Sequence, residues 1–205
     1  MNKRFIIFGA LMPDKLRFSR LRSDYVIACD KGYEVCKSLD IKPDMIIGDF
    51  DSLGFIPEAS NLTVLPVRKD DTDLGFAINK AISLNAEEIY VYGAVGGRLD
   101  LTVANISLCA AACKKGIKTV FYGNDFDFTV LRSGQSIYFK KPEPKKTVSV
   151  FALEKCSGVN LSGFEYNLQN ACLDPLFPLG VSNAFKDETA EISLETGLLL
   201  ILTQC

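Results

Sequence analysis

Residues 25–52 read YVIACDKGYEVCKSLDIKPDMIIGDFDS. Two runs in this stretch, YVIAC at 25–29 and MII at 45–47, are of strand length and apolar without alternation, and between them Gly32–Leu39 predicts a short helix. Strands that are apolar on both faces belong in a parallel sheet covered by helices, so the stretch reads as one β-α-β unit. Acids follow both runs: Asp30 directly, and Asp49 after Gly48. Open parallel sheets bind ligands beyond the carboxyl ends of their strands, which is where these acids fall.

The same pattern continues on both sides. FIIFGA at 5–10 precedes the unit, EIYVYGA at 88–94 and KTVFYG at 118–123 follow it, and helices are expected over Asp73–Leu84 and Asp100–Lys115. Alternating strand and helix signals predict an α/β class with a parallel sheet. After about residue 128 the composition changes. LRSGQSIYFKKPEPKKTVSVFALEKCSGVNLSGF, at 131–164, alternates short β-prone pieces with Gly, Ser and Pro and carries no long helical pattern. The expected division is therefore an α/β domain over 1–128 and a smaller all-β domain over 129–205. At the end, TAEISLE at 189–195 runs through Thr196 and Gly197 into LLLILT, which predicts an antiparallel hairpin.

Composition narrows the chemistry. The 205 residues are 48% hydrophobic and 23% charged, with a formal net charge of -2, no His, no Trp and seven Cys. Without His there is no imidazole acid or base, no His-ligated metal and no His-containing triad. Near-neutral charge gives no electrostatic case for nucleic acid or an anionic membrane as partner. The odd number of cysteines, with no CxxC pair, fits structural thiols in a reducing compartment, and Cys109 and Cys113 in ISLCAAAC read as helix packing. No apolar run reaches spanning length and MNKRFIIFGALMP reads as a first strand, so the expected location is the cytoplasm.

Three segments concentrate carboxylates where strands end or helices begin. In GDFDS, an extended chain would put Asp49 and Asp51 on one side with Phe50 facing the core. In KDDTD, Lys69 and three acids precede an apolar helix, so Asp71 or Thr72 caps it while Asp73 faces the same pocket. In GGRLD, Gly96 and Gly97 permit close backbone approach, Arg98 supplies a phosphate clamp and Asp100 enters a helix. Gathered together, Asp49, Asp51, Asp71, Asp73 and Asp100 would repel one another unless a cation neutralised them, and hard oxygen ligands suit magnesium. Carboxylates with magnesium beside Arg and Lys suit phosphoryl-type transfer. Gly9, Asp30 and Gly32 offer further phosphate or ribose contacts, although GxGxxG and the Walker pattern are both absent.

The order of these segments is similar to that of the thiamine pyrophosphokinase family. The resemblance rests on ACDKG at 28–32, IKPDMIIGDFDS at 41–52, KDDTD at 69–73, YGAVGGRLD at 92–100, SGVNLSGFEYNL at 157–168 and GVSNAF at 180–185. It implies a Rossmann-like α/β catalytic domain followed by a β-sandwich, a homodimer, and magnesium-dependent transfer of pyrophosphoryl from ATP to the thiamine hydroxyl. By the same resemblance Asp49, Asp51, Asp71, Asp73 and Asp100 serve metal binding or catalysis, and Arg98 and Lys69 face the phosphates. Tyr166, Ser182 and Asn183 serve the thiamine side, with Phe164 and Phe185 as further candidates for an aromatic wall. Leu101, Val95 and Gly75 depart from the family pattern, at positions where it often has His, Thr and an acid. The competing expectations are a magnesium-dependent nucleotidyl or glycosyl transferase and a non-enzymatic thiamine or nucleotide sensor.

Overall fold

The computed structural model describes residues 3–17, 20–51, 53–57, 61–66, 68, 70–142 and 146–205. The chain divides into two compact units, Met1–Asn124 and Asp125–Cys205.

The first unit holds strands β1 (Arg4–Phe8), β2 (Tyr25–Cys29), β3 (Met45–Gly48), β4 (Leu62–Val64), β5 (Glu88–Tyr92) and β6 (Lys118–Tyr122). Helices α1 (Gly32–Ser38), α2 (Asp73–Ser83) and α3 (Leu99–Lys114) are interleaved among them. All neighbouring strands are parallel, in the order β6-β5-β1-β2-β3-β4. Strand order therefore reverses direction at β1, which creates the crevice at which such sheets take ligands. β1 forms because Phe5, Ile6, Ile7 and Phe8 all lose contact with water, being at most 1% exposed. On α2, Leu74, Ala77, Ile78 and Ala81 supply one buried stripe at helical spacing. α3 buries Asn105, Cys109, Ala112 and Cys113, so the cysteine pair packs on its inner face as expected, and none of the seven cysteines forms a disulfide.

All three helices stop in the same manner. Asp40, Asn85 and Gly116 adopt positive φ, and the next N–H returns to a carbonyl five residues back: Ile41 to Cys36, Ala86 to Ala81, Ile117 to Ala112. This turn satisfies carbonyls that the helix end would otherwise leave open.

The second unit contains β7 (Phe126–Arg132), β8 (Ser136–Lys140), β9 (Thr147–Ala152), β10 (Cys156–Ser162), β11 (Leu168–Leu173), β12 (Asn183–Ala184), β13 (Thr189–Ser193) and β14 (Leu198–Gln204). They form two antiparallel layers, β12-β9-β14-β7 and β11-β10-β13-β8. Leu131, Val148, Val150, Leu199 and Ile201 from one layer meet Val159, Leu161, Ala190 and Ile192 from the other in a single core, which makes the unit a β-sandwich. The expected hairpin at the end is not formed. β13 pairs with β8 and β10 whereas β14 pairs with β7 and β9, because Leu194–Gly197 carries the chain from one layer to the other and both strands bury their apolar residues in the shared core. The expected boundary at 128 falls inside β7. No helix among the described residues is long and apolar enough to cross a membrane.

Candidate active site

β2 and β3 lie side by side with Ile27 opposite Met45 and Cys29 opposite Ile47. The N–H of Asp30 then donates to the carbonyl oxygen of Ile47 at 2.9 Å, extending the pairing one residue past β2. The chain leaves β3 through Gly48 and turns sharply at Phe50, whose φ is +60° and whose ring is buried. Phe50 does face the core, but the chain around it is a turn and not an extended segment. Leu53 and Gly54 both donate to the Phe50 carbonyl, and the Asp51 N–H donates to Asp49 Oδ1 at 3.3 Å. For a bulky residue a left-handed backbone costs about 1–2 kcal/mol. Asp30 adopts the same region, with φ of +47°.

These two turns bring carboxylate oxygens of Asp30, Asp49 and Asp51 within 4.8 Å of one another. Asp49 and Asp51 are neighbours by sequence, whereas Asp30, expected at phosphate or ribose contacts, is joined to the pair by strand register. Three carboxylates at this spacing repel one another strongly unless a cation sits among them. An all-oxygen donor set suits magnesium, which binds oxygen at about 2.0–2.1 Å and keeps several waters. Cys29, the neighbour of Asp30, does not belong to this donor set. Burial first, and then the charges of Asp73 and Asp30, push its thiol far above the ordinary range, so it stays protonated.

The Cys29 thiol donates to the Asp73 carbonyl at 3.9 Å, which ties the end of β2 to the first residue of α2. Asp73 Oδ1 is buried there. Thr72 is the N-cap, with its Oγ1 accepting from the Gly75 N–H at 3.0 Å. Asp71 is turned to its own helix: Oδ1 accepts from the Thr72 N–H at 2.7 Å and Oδ2 from Asn79 Nδ2 at 3.4 Å. Lys69 and Ser52 lie outside the described residues.

Beyond β5, the Asn105 side chain donates to the Ala94 carbonyl at 2.7 Å and Thr102 Oγ1 accepts from the Gly96 N–H at 3.3 Å, so α3 braces the glycine loop. Arg98 and Asp100 form a forked pair at 2.5 and 3.1 Å, largely in solvent. The Arg98 hydrogen bond holds the Asp100 carboxyl below the usual carboxylate range, and the Asp100 side chain raises Arg98 in turn. Gly9 and Gly32 are required by backbone contact: a Cβ on residue 32 would stand 2.0 Å from the Phe8 carbonyl oxygen, and one on residue 9 would stand 2.6 Å from that of Gly93.

In the second unit, Asn183 is buried and spends its amide on one residue. Its Oδ1 accepts from the Tyr166 N–H at 3.0 Å and its Nδ2 donates to the Tyr166 carbonyl at 2.6 Å. Tyr166 therefore has a locked backbone and a ring that is 76% exposed. Phe164 and Phe185, in contrast, belong to the core, 5.1 Å apart by ring centroids. Ser182 holds φ of +56° and donates its N–H to Ser149 Oγ at 2.9 Å.

Two family models match the chain: the catalytic domain of thiamin pyrophosphokinase over residues 20–121, and the vitamin B1 binding domain of thiamin pyrophosphokinase over 135–199. The thiamine pyrophosphokinase of Bacillus subtilis (strain 168) is 28% identical over 183 residues, covering 86% of this chain and 85% of that protein. The crystal structure of a Bacillus subtilis thiamine pyrophosphokinase superposes with a TM-score of 0.86 at 27% identity, covering 98% of this chain and 99% of the other. That of a Geobacillus thermodenitrificans thiamin pyrophosphokinase gives 0.81 at 26% identity, covering 98% and 97%.

Proposed function

The chain belongs to the thiamin pyrophosphokinase family, and we propose from that premise that it moves the pyrophosphoryl group of ATP onto the thiamine hydroxyl, releasing thiamine diphosphate and AMP. The enzyme is an ATP-dependent transferase with a Rossmann-like unit followed by a β-sandwich. The observation that carries the site assignment is the meeting of Asp30, Asp49 and Asp51 beyond the carboxyl ends of β2 and β3.

Asp30, Asp49 and Asp51 would hold magnesium, and Asp73 at the start of α2 would extend the same acidic wall. When bound, the ion offsets the negative charge of the ATP phosphates and makes the β phosphorus accessible. Arg98, standing ready in its pair with Asp100, exchanges that carboxylate for phosphate oxygens with the same forked geometry. The thiamine hydroxyl oxygen bonds to the β phosphorus while the bond from that phosphorus to the oxygen bridging it to the α phosphorus breaks. AMP leaves with the bridging oxygen, and the hydroxyl proton passes to a carboxylate of the wall.

Tyr166 offers its ring to the heterocycles of thiamine, whose permanent positive charge favours an aromatic face. The enzyme acts as a homodimer with thiamine near the interface. That reading is supported by exposed apolar side chains close together in the sequence of the second unit, Leu176, Phe177, Leu179 and Val181, of the kind that marks association surfaces. The test is chromatographic: incubation with ATP, magnesium and thiamine gives AMP only when thiamine is present. Transfer from a nucleotide sugar without AMP would instead establish a glycosyl transferase.

A further inference from the structure

Helix α2 begins with half of a capping box. In the complete motif the N-cap hydroxyl accepts from the N–H three residues on, and an acid at that third position reaches back to accept the N-cap N–H. Thr72 Oγ1 accepts from the Gly75 N–H at 3.0 Å, but Gly75 has no side chain with which to return the bond. The Thr72 N–H goes instead to Asp71 Oδ1 at 2.7 Å, and Asn79 from the next turn of α2 holds the other oxygen at 3.4 Å. The carboxylate occupies the space that a side chain at 75 would enter: a Cβ there would lie 2.1 Å from Oδ1, 2.6 Å from Cγ and 2.7 Å from Oδ2 of Asp71. Its negative charge also lies at the positive end of α2.

We propose that Asp71 is the missing half of the capping box, supplied from the residue before the cap, and that Gly75 is the residue that admits it. Asp71 is thus a positioning residue. It fixes the first turn of α2 and, through it, Asp73, and it contributes neither a metal ligand nor a reacting group. The link to catalysis rests on the reading of Asp73 as part of the acidic wall; the lock itself does not.

Glutamate at 75 would restore the ordinary box, so rescue is the test. Asp71→Ala should lower Tm by about 2–4 °C, the size of a lost cap in a chain of this length, and raise several-fold the magnesium concentration that gives half-maximal rate. Asp71→Ala combined with Gly75→Glu should return both values to near wild type. Asp71→Asn keeps the Oδ1 acceptor but gives up the charge and the Oδ2 acceptor that Asn79 uses, so both values should move less than in Asp71→Ala, and manganese binding followed by electron paramagnetic resonance should retain wild-type stoichiometry in all three variants. Failure of Gly75→Glu to restore Tm, or loss of manganese binding in Asp71→Asn, overturns the proposal. A wild-type protein without thiamine-dependent AMP formation refutes the reaction instead, and the Tm series still decides the lock.

Discussion

The backbone N–H of Asp30 donates to the carbonyl oxygen of Ile47 at 2.9 Å, and that bond sets the carboxylate of Asp30 beside those of Asp49 and Asp51. Site chemistry in this fold is thus a product of strand register. Each acid leaves its strand through a backbone turn that a non-glycine residue adopts at a cost, and such costs persist where the surrounding structure over-determines them.

Removing one of these charges separates catalysis from stability. Asp49→Asn and Asp30→Asn should each lower turnover by at least about 100-fold, since charge neutralisation supplies most of the rate in this chemistry. Thermal unfolding without magnesium should be unchanged or shifted upward, because one member of a mutually repelling group is gone. Steady-state kinetics and calorimetry on the same samples check both halves.

Asn183 makes a second, independent test. Asn183→Ala removes both bonds to the Tyr166 backbone and should destabilise the protein by about 1–3 kcal/mol while raising the KM for thiamine more than that for ATP. Tyr166→Ala should raise the thiamine KM with Tm unchanged, since that ring is exposed. Urea denaturation and the two KM values distinguish a ring held for thiamine from a turn held only for the fold.

Acid stability should depend on Asp24. Burial favours its neutral form, but the fork from Arg4 at 2.6 and 2.7 Å and the Leu21 N–H at 2.7 Å outweigh this and hold the carboxyl below its ordinary value. A depressed carboxyl stabilises the fold above its unfolded pKa, about 3.9, and that contribution disappears as pH falls through the folded value. Asp24→Asn should therefore cost about 1–3 kcal/mol at pH 7, where it takes the negative charge out of the Arg4 fork, and much less near pH 3. Denaturation midpoints at the two pH values give the difference.

Thiol reactivity follows burial. Burial pushes the Cys36 thiol up to about 12 and raises Cys29 and Cys156 as well, and Cys109 and Cys113 are also buried. A chromogenic disulfide reagent should label Cys172 quickly and Cys205 more slowly in the native protein, and the remaining five only after denaturant is added. Peptide mapping of the labelled sites checks the order.

Much of the first unit was legible because its strands are apolar on both faces: the expected helices at 32–39, 73–84 and 100–115 appear as Gly32–Ser38, Asp73–Ser83 and Leu99–Lys114. β4 was not, being three residues of which Thr63 and Val64 are exposed. Alternation in TAEISLE marks a strand with one buried face, and that is true of β13. It says nothing about which layer the next strand joins, and β14 joins the other one. The motif acids were visible as residues, but their grouping depends on register and on positive φ at Asp30 and Phe50, which spacing does not encode. The exchange between Gly75 and Asp71 is hidden for the same reason: an absent side chain has meaning only once its neighbour is placed.

Pyrophosphoryl transfer requires that thiamine attack the β phosphorus of ATP. ATP labelled at its β phosphorus, incubated with the enzyme, magnesium and thiamine, should place the label in thiamine diphosphate and leave AMP unlabelled, with one AMP formed for each labelled product. Label released as pyrophosphate, with the adenylate joined to thiamine, would rule out attack at the β phosphorus.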